Sequence, residues 1–198
     1  MKALKITAVF MFGLCFVGAD AFAQAVMRGD GPAPEAQPFR INKADAALDA
    51  IIAPDAELEL MADGFGLNEG PVWVRDGSDG YLIVSGLIDN ALYKITADKT
   101  VSVFMEYAGY SGDSINTVGT QTRSGRAHVL LIGPGCASLD PQNRLVWCAM
   151  QDLAIKRMEA DGSITTVADN HEGKNFSGPN DLVVKSNGSI YFTDNDYG

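Results

Sequence analysis

The residues best suited to chemistry sit at the mouth of an apolar strand. In Ser177-Gly178-Pro179-Asn180-Asp181-Leu182-Val183-Val184 a turn leads into a strand. After a second turn, Lys185-Ser186-Asn187-Gly188, another strand follows at Ser189-Ile190-Tyr191-Phe192-Thr193-Asp194. Asn is disfavoured within strands, so the Asn180-Asp181 pair at the entrance asks for a reason. One reason is local: the Asn side chain bonds nearby backbone and makes the turn. The other is chemical: its amide oxygen points into a pocket and takes a cation or a substrate. The residues alone leave both readings open. Asp181 and Asp194 read as structural carboxylates that bond neighbouring turns.

Two other residues could react. Cys136 and Cys148 flank a turn at Asp140-Pro141-Gln142-Asn143-Arg144. If Leu139 pairs with Leu145, register sets Cys136 opposite Cys148, where Cα atoms are about 4.5–5.5 Å apart, within disulfide reach. A bridge suits an oxidising compartment; two buried free thiols suit the packing habit of Cys equally well. The remaining motifs fail. Gly109-Tyr110-Ser111-Gly112-Asp113 misses the nucleophile elbow at its last residue, and Gly64-Phe65-Gly66 has the wrong spacing for a dinucleotide loop. His128 opens an apolar strand and reads as packed. His171 lies in the polar turn Asp169-Asn170-His171-Glu172-Gly173, and Asn175 stands where a second zinc-binding His would be needed. A histidine-based triad is therefore not expected.

The elements that must position these groups begin after a processed leader. Residues 1–23 carry Lys2 and Lys5, an apolar run from Ile6 to Gly18, and Ala21-Phe22-Ala23 before Gln24, the pattern of a secretory signal peptide. Export to a periplasm or outside the cell is the expectation. Cys15 leaves with that segment. Residues 24–41, rich in Ala, Pro and Gly, form a flexible linker. Residues 42–53 are predicted as an amphipathic helix capped by Asn42, with Ala44, Ala47, Leu48, Ile51 and Ile52 on one face and Pro54 ending it. The formal net charge of -10 argues against a nucleic-acid partner. After the leader no apolar run is long enough to span a membrane.

From Glu57 to Gly198 the pattern is all-β. Short strands are predicted at 72–74, 81–84, 91–95, 101–104, 128–132, 137–139, 145–148, 155–158 and 164–167, with a polar loop from Tyr107 to Arg126. Leu139, a turn and Leu145 match Val184, a turn and Ile190, and the strands around them recur in the same sequence. A four-strand unit repeating at about 40–50 residues is the signature of a β-propeller blade; a sandwich also has short strands but no such repeat. Trp73, Trp147 and Phe192 read as core between blades. Residues 57–198 have room for about three blades, whereas closed propellers have four or more. A truncated chain is the simpler expectation; a partner that closes the ring is the other.

Four segments together resemble the senescence-marker-protein/gluconolactonase (regucalcin-like) family: Asn68-Glu69-Gly70-Pro71-Val72-Trp73, Leu139-Asp140-Pro141-Gln142-Asn143-Arg144-Leu145, Glu159-Ala160-Asp161-Gly162, and Ser177–Val184 with Gly188–Asp194. They occur in the family's order with roughly its spacing. The resemblance implies a six-bladed propeller, of which this chain matches the N-terminal half. It also implies one divalent cation in the central channel, held by a Glu, an Asn and an Asp from different blades. Glu69 and Asn180 match the first two as metal ligands; the Asp, also implicated in catalysis, belongs to a later blade. Hard oxygen donors suit Ca, Mg or Mn, and Zn less obviously.

One position departs from the family. Gly135 falls where members often carry a substrate-binding Asn, so no side chain can donate there; Arg123 and Arg126 of the polar loop are candidate replacements, exposed solvated charges being the other reading of both. The implied function is metal-dependent hydrolysis of a small-molecule sugar lactone. A phosphotriesterase-like hydrolase of the same fold and a non-catalytic binding propeller are the alternatives.

Overall fold

The computed structural model describes residues 39–114, 120–123 and 127–195, with the backbone alone described over 120–123 and 127–130. The leader and most of the linker lie outside the described residues. The chain divides into a unit ending at Asp63 and a unit beginning at Gly64.

The first unit differs from the helix expected over 42–53. Only Ala46–Ala50 is helical, as a 3-10 turn, and its N-cap is Asp45 rather than Asn42. The Asp45 carboxylate accepts the Ala47 N–H at 2.8 Å. None of the five residues is buried, and Ile51 is 82% exposed. Short helices depend on burying an apolar face; without it, the local Asp45 cap decides where the turn starts.

The second unit is all-β. Strands β1 (Asn68–Asp76), β2 (Asp79–Gly86), β3 (Ala91–Thr96) and β4 (Val101–Glu106) form an antiparallel sheet in the order β1-β2-β3-β4. A hairpin of β5 (Thr120–Arg123) and β6 (Ala127–Leu130) follows. A second four-stranded sheet holds β7 (Ala137–Leu139), β8 (Leu145–Ala149), β9 (Ala154–Met158) and β10 (Ile164–Ala168), again in sequential order. Then come a two-residue hairpin, β11 (Asn170–His171) with β12 (Lys174–Asn175), and the pair β13 (Pro179–Val184) with β14 (Ile190–Asp194). Two successive four-stranded meanders with the start of a third are blades of a β-propeller, as the repeat predicts. Leu139 does pair with Leu145, and Val184 with Ile190, at equivalent places in the two hairpins.

Two strand pairs were hidden by polar composition. The loop expected from Tyr107 to Arg126 contains β5, where β-branched Thr120 and Thr122 alternate. The polar turn around His171 is flanked by β11 and β12, and Glu172 and Gly173 at its tip have φ of 51° and 77°. Two consecutive positive φ values are what a tight hairpin turn requires.

The core explains why the blades stack. All five residues of β8 are buried. Leu145, Trp147 and Ala149 meet Ile83 and Leu92 of the first sheet. Val146 and Cys148, on the other face, meet Leu182 and, behind it, Val184, Ile190 and Phe192. A strand covered on both faces loses the apolar–polar alternation of a half-exposed one, and Leu-Val-Trp-Cys-Ala reads accordingly. Trp147 is fully buried, and its Nε1–H donates to the Ala108 carbonyl at 2.8 Å. Trp73 corrects the expectation that it fills the core. It is 43% exposed and lies against Gly80 of its own sheet, where a Cβ would come within 2.5 Å of its ring. The first strands β1, β7 and β13 lie side by side.

Candidate functional site

Glu69 and Asn180 occupy the same structural position in two different blades. Each is the second residue of a first strand, β1 or β13. Each sits at a break in register: Glu69 is the last paired residue before the break that ends at Val72, and Asn180 lies inside the break between Pro179 and Leu182. Such bulges bend a strand and re-aim its side chains. In β1 the cause is Gly70-Pro71. Pro71 has no N–H for the ladder, and Gly70 has φ 57°. A Cβ at Gly70 would lie 2.5 Å from the Cys136 Cα, so both conformation and space demand glycine there.

The two bulges bring together residues far apart in sequence. Asn180 Nδ2 donates to Glu69 Oε1 at 3.3 Å. The turn before β7 lies between them. Its Cys136 N–H donates to the Asn180 carbonyl at 2.7 Å, and its Gly135 N–H to the Cys148 carbonyl at 2.9 Å. Asp181 completes the group: its carboxylate accepts the Leu182 N–H at 2.8 Å and a hydrogen bond from the Cys136 thiol.

The electrostatics follow from this crowding. Burial pushes the Glu69 carboxyl up to about 7, the Asp181 charge adds to the rise, and the Asn180 amide opposes it. The Cys136 thiol is pushed up to about 12, chiefly by burial, then by its bond to Asp181 and the charges of Glu69 and Asp181. Burial also raises Cys148. Both thiols are therefore protonated near neutrality and poor nucleophiles. Cys148 N–H donates to the Cys136 carbonyl at 3.1 Å, so the predicted opposition of the two residues is observed. The disulfide is not: both cysteines are free. Cys136 instead turns its N–H to Asn180 and its thiol to Asp181.

The other candidates separate. Asp194 accepts the N–H groups of Ser177 and Gly178 at 3.0 and 2.8 Å, tying down the turn before β13 as its structural reading requires. Asp181, read the same way, instead faces Glu69 and Cys136. Arg126 lies outside the described residues, and of Arg123 only the backbone is described, at the end of β5. Among the described residues no three His, Cys, Asp or Glu side chains are grouped to hold a metal ion. The Glu69–Asn180 pair nevertheless suits a cation. It offers a carboxylate and an amide, the hard oxygen donors that divalent ions prefer, and a carboxyl whose charge its surroundings disfavour gains most from a positive neighbour.

Residues 67–198 match the family described as SMP-30/Gluconolactonase/LRE-like region. The chain belongs to that family. A curated relative, a gluconolactonase of Zymomonas mobilis subsp. mobilis, is 31% identical over 161 residues, 80% of this chain and 42% of the relative. Among solved structures, a gluconolactonase of Xanthomonas campestris superimposes with a TM-score of 0.57 at 28% identity, over 77% of this chain and 42% of that one. The chain thus spans about two fifths of the length of the relatives it matches. The family motifs led to Glu69 and Asn180. They did not lead to Asp181 and Cys136 as neighbours of the pair, because that proximity is created by bulges and by a turn from a third strand.

Proposed function

We propose that the protein carrying this chain hydrolyses a small sugar lactone with the help of one divalent cation held in part by Glu69 and Asn180. The observation that carries this reading is the meeting of those two side chains at 3.3 Å across 111 residues of sequence, in a family whose named relatives include gluconolactonases. When bound, such a cation supplies Lewis acidity that polarises an ester carbonyl and stabilises its oxyanion.

The residues of this chain do the positioning. Deprotonated Glu69 and the amide oxygen of Asn180 would hold the cation. A carboxylate beside the cation would take a proton from the attacking water; Asp181 lies exposed next to Glu69. Water adds to the lactone carbonyl, the ring C–O bond breaks, and the departing alkoxide takes a proton to leave a hydroxy acid. Gly135 offers no side chain to the substrate. Export is part of the same proposal and rests on the composition of residues 1–23; N-terminal sequencing of the native protein is expected to begin at Gln24.

The test is hydrolysis of gluconolactone by the full-length native protein, followed as acid release at constant pH. Turnover is expected to stop with a chelator, to return with the cation, and to be lost in Glu69→Gln. Turnover that survives both treatments would overturn the cation reading. No turnover of any sugar lactone by the cation-loaded protein would favour a binding propeller.

A further inference from the structure

Ser85 stands where the two halves of the candidate cation site are joined. It lies on β2 directly opposite Glu69 on β1, and directly opposed residues of an antiparallel pair share a face. It is fully buried. Its hydroxyl donates to the Gly135 carbonyl at 2.5 Å. Gly135 in turn is pressed against the other ligand strand: a Cβ there would lie 2.1 Å from the Asn180 carbonyl oxygen. The next residue, Cys136, donates its N–H to that same oxygen at 2.7 Å. One buried hydroxyl thus ties β2, the strand paired with the one that carries Glu69, to the turn that grips the backbone of Asn180.

We propose that Ser85 is a positioning residue that sets the distance between Glu69 and Asn180 through the Gly135-Cys136 turn. The inference rests on the cation reading above. It also accounts for Gly135. A side chain at that position could enter only by displacing Asn180. A buried hydroxyl and carbonyl that satisfy each other hold a fixed geometry, because either one left alone is costly. Groups that orient ligands in this way typically change metal affinity by about 10–100-fold when removed.

The experiment is calorimetric titration of the full-length, cation-stripped protein with Ca²⁺, Mg²⁺, Mn²⁺ and Zn²⁺ separately, with a thermal melt of each stripped variant. Ser85→Ala is expected to fold but to melt below the parent, because the Gly135 carbonyl is left unpaired, and to lose about 10–100-fold in affinity for the tightest ion. Ser85→Thr, which returns the hydroxyl, is expected to recover most of it. Should Ser85→Ala not fold, Ser85→Cys keeps the volume with only a weak donor and is read the same way. Parental affinity in Ser85→Ala or Ser85→Cys, with binding lost in Glu69→Gln, would overturn the positioning role and leave the cation site standing. A parent that binds none of the four ions would overturn both.

Discussion

Glu69 holds its proton up to about pH 7 because burial disfavours the carboxylate and Asp181 repels it. In the unfolded chain the same group titrates near its ordinary 4.5. Between these values the folded state binds more proton than the unfolded state, so the Glu69 contribution to stability falls as pH rises through that window. Below it both states are protonated and the effect vanishes. Glu69→Gln removes the titration and keeps an amide that Asn180 can face. In chelator the variant is expected to melt higher than the parent near neutrality and at the same temperature near pH 4.5. A difference that does not change with pH would show that Glu69 ionises normally. This environment was only partly legible in the sequence. Glu-Gly-Pro and Pro-Asn-Asp mark the two residues through the family motifs, but no motif tells that Cys136 and Asp181 crowd the carboxyl. Residue type alone also misread Trp73: a large aromatic in an apolar strand suggests core, whereas its place above Gly80 leaves it on the outside.

At the scale of elements, β8 is the wall on which the neighbouring sheets pack. Its alternate residues reach the first sheet on one side and β13–β14 on the other. Trp147 is the largest side chain fully buried, and its indole N–H ties β8 to the segment after β4 through Ala108. Trp147→Ala is expected to cost about 3–5 kcal/mol of stability, the range for removing a buried aromatic, as measured by denaturant unfolding. A loss under about 1 kcal/mol would mean that the two blades do not share a core. This element was legible because continuous apolar residues bounded by turn signals at Asp140–Arg144 leave little choice but a doubly buried strand. The turns were legible too: Asp140 accepts the N–H groups of Gln142 and Arg144 at 2.9 Å each, which is the use to which turn residues are put. The elements missed are those with weak apolar pattern. β5 and the β11–β12 hairpin hold no apolar residues for a period to reveal, and the turn at 46–50 buries nothing that would extend it.

For the molecule as a whole, the site crosses the fold. Glu69 belongs to the first blade, Cys136 to the second and Asn180 to the third, so a cation that takes both oxygen donors binds only when three blades are assembled. A ligand of the folded state alone raises stability by about 2.7 kcal/mol at a hundred times its dissociation constant. The melting temperature of the full-length protein is therefore expected to rise with cation concentration and to fall on chelation. The formal net charge of -10 provides a competing explanation. An acidic surface attracts cations of any kind, and that attraction is screened by salt. The two causes part in Glu69→Gln, which removes one charge of many but one of the two proposed ligands. If the site is responsible, the variant loses the cation-dependent rise at constant ionic strength and retains only a weak response that added sodium chloride also produces. If the overall charge is responsible, parent and variant respond alike, and sodium chloride substitutes for the divalent ion in both.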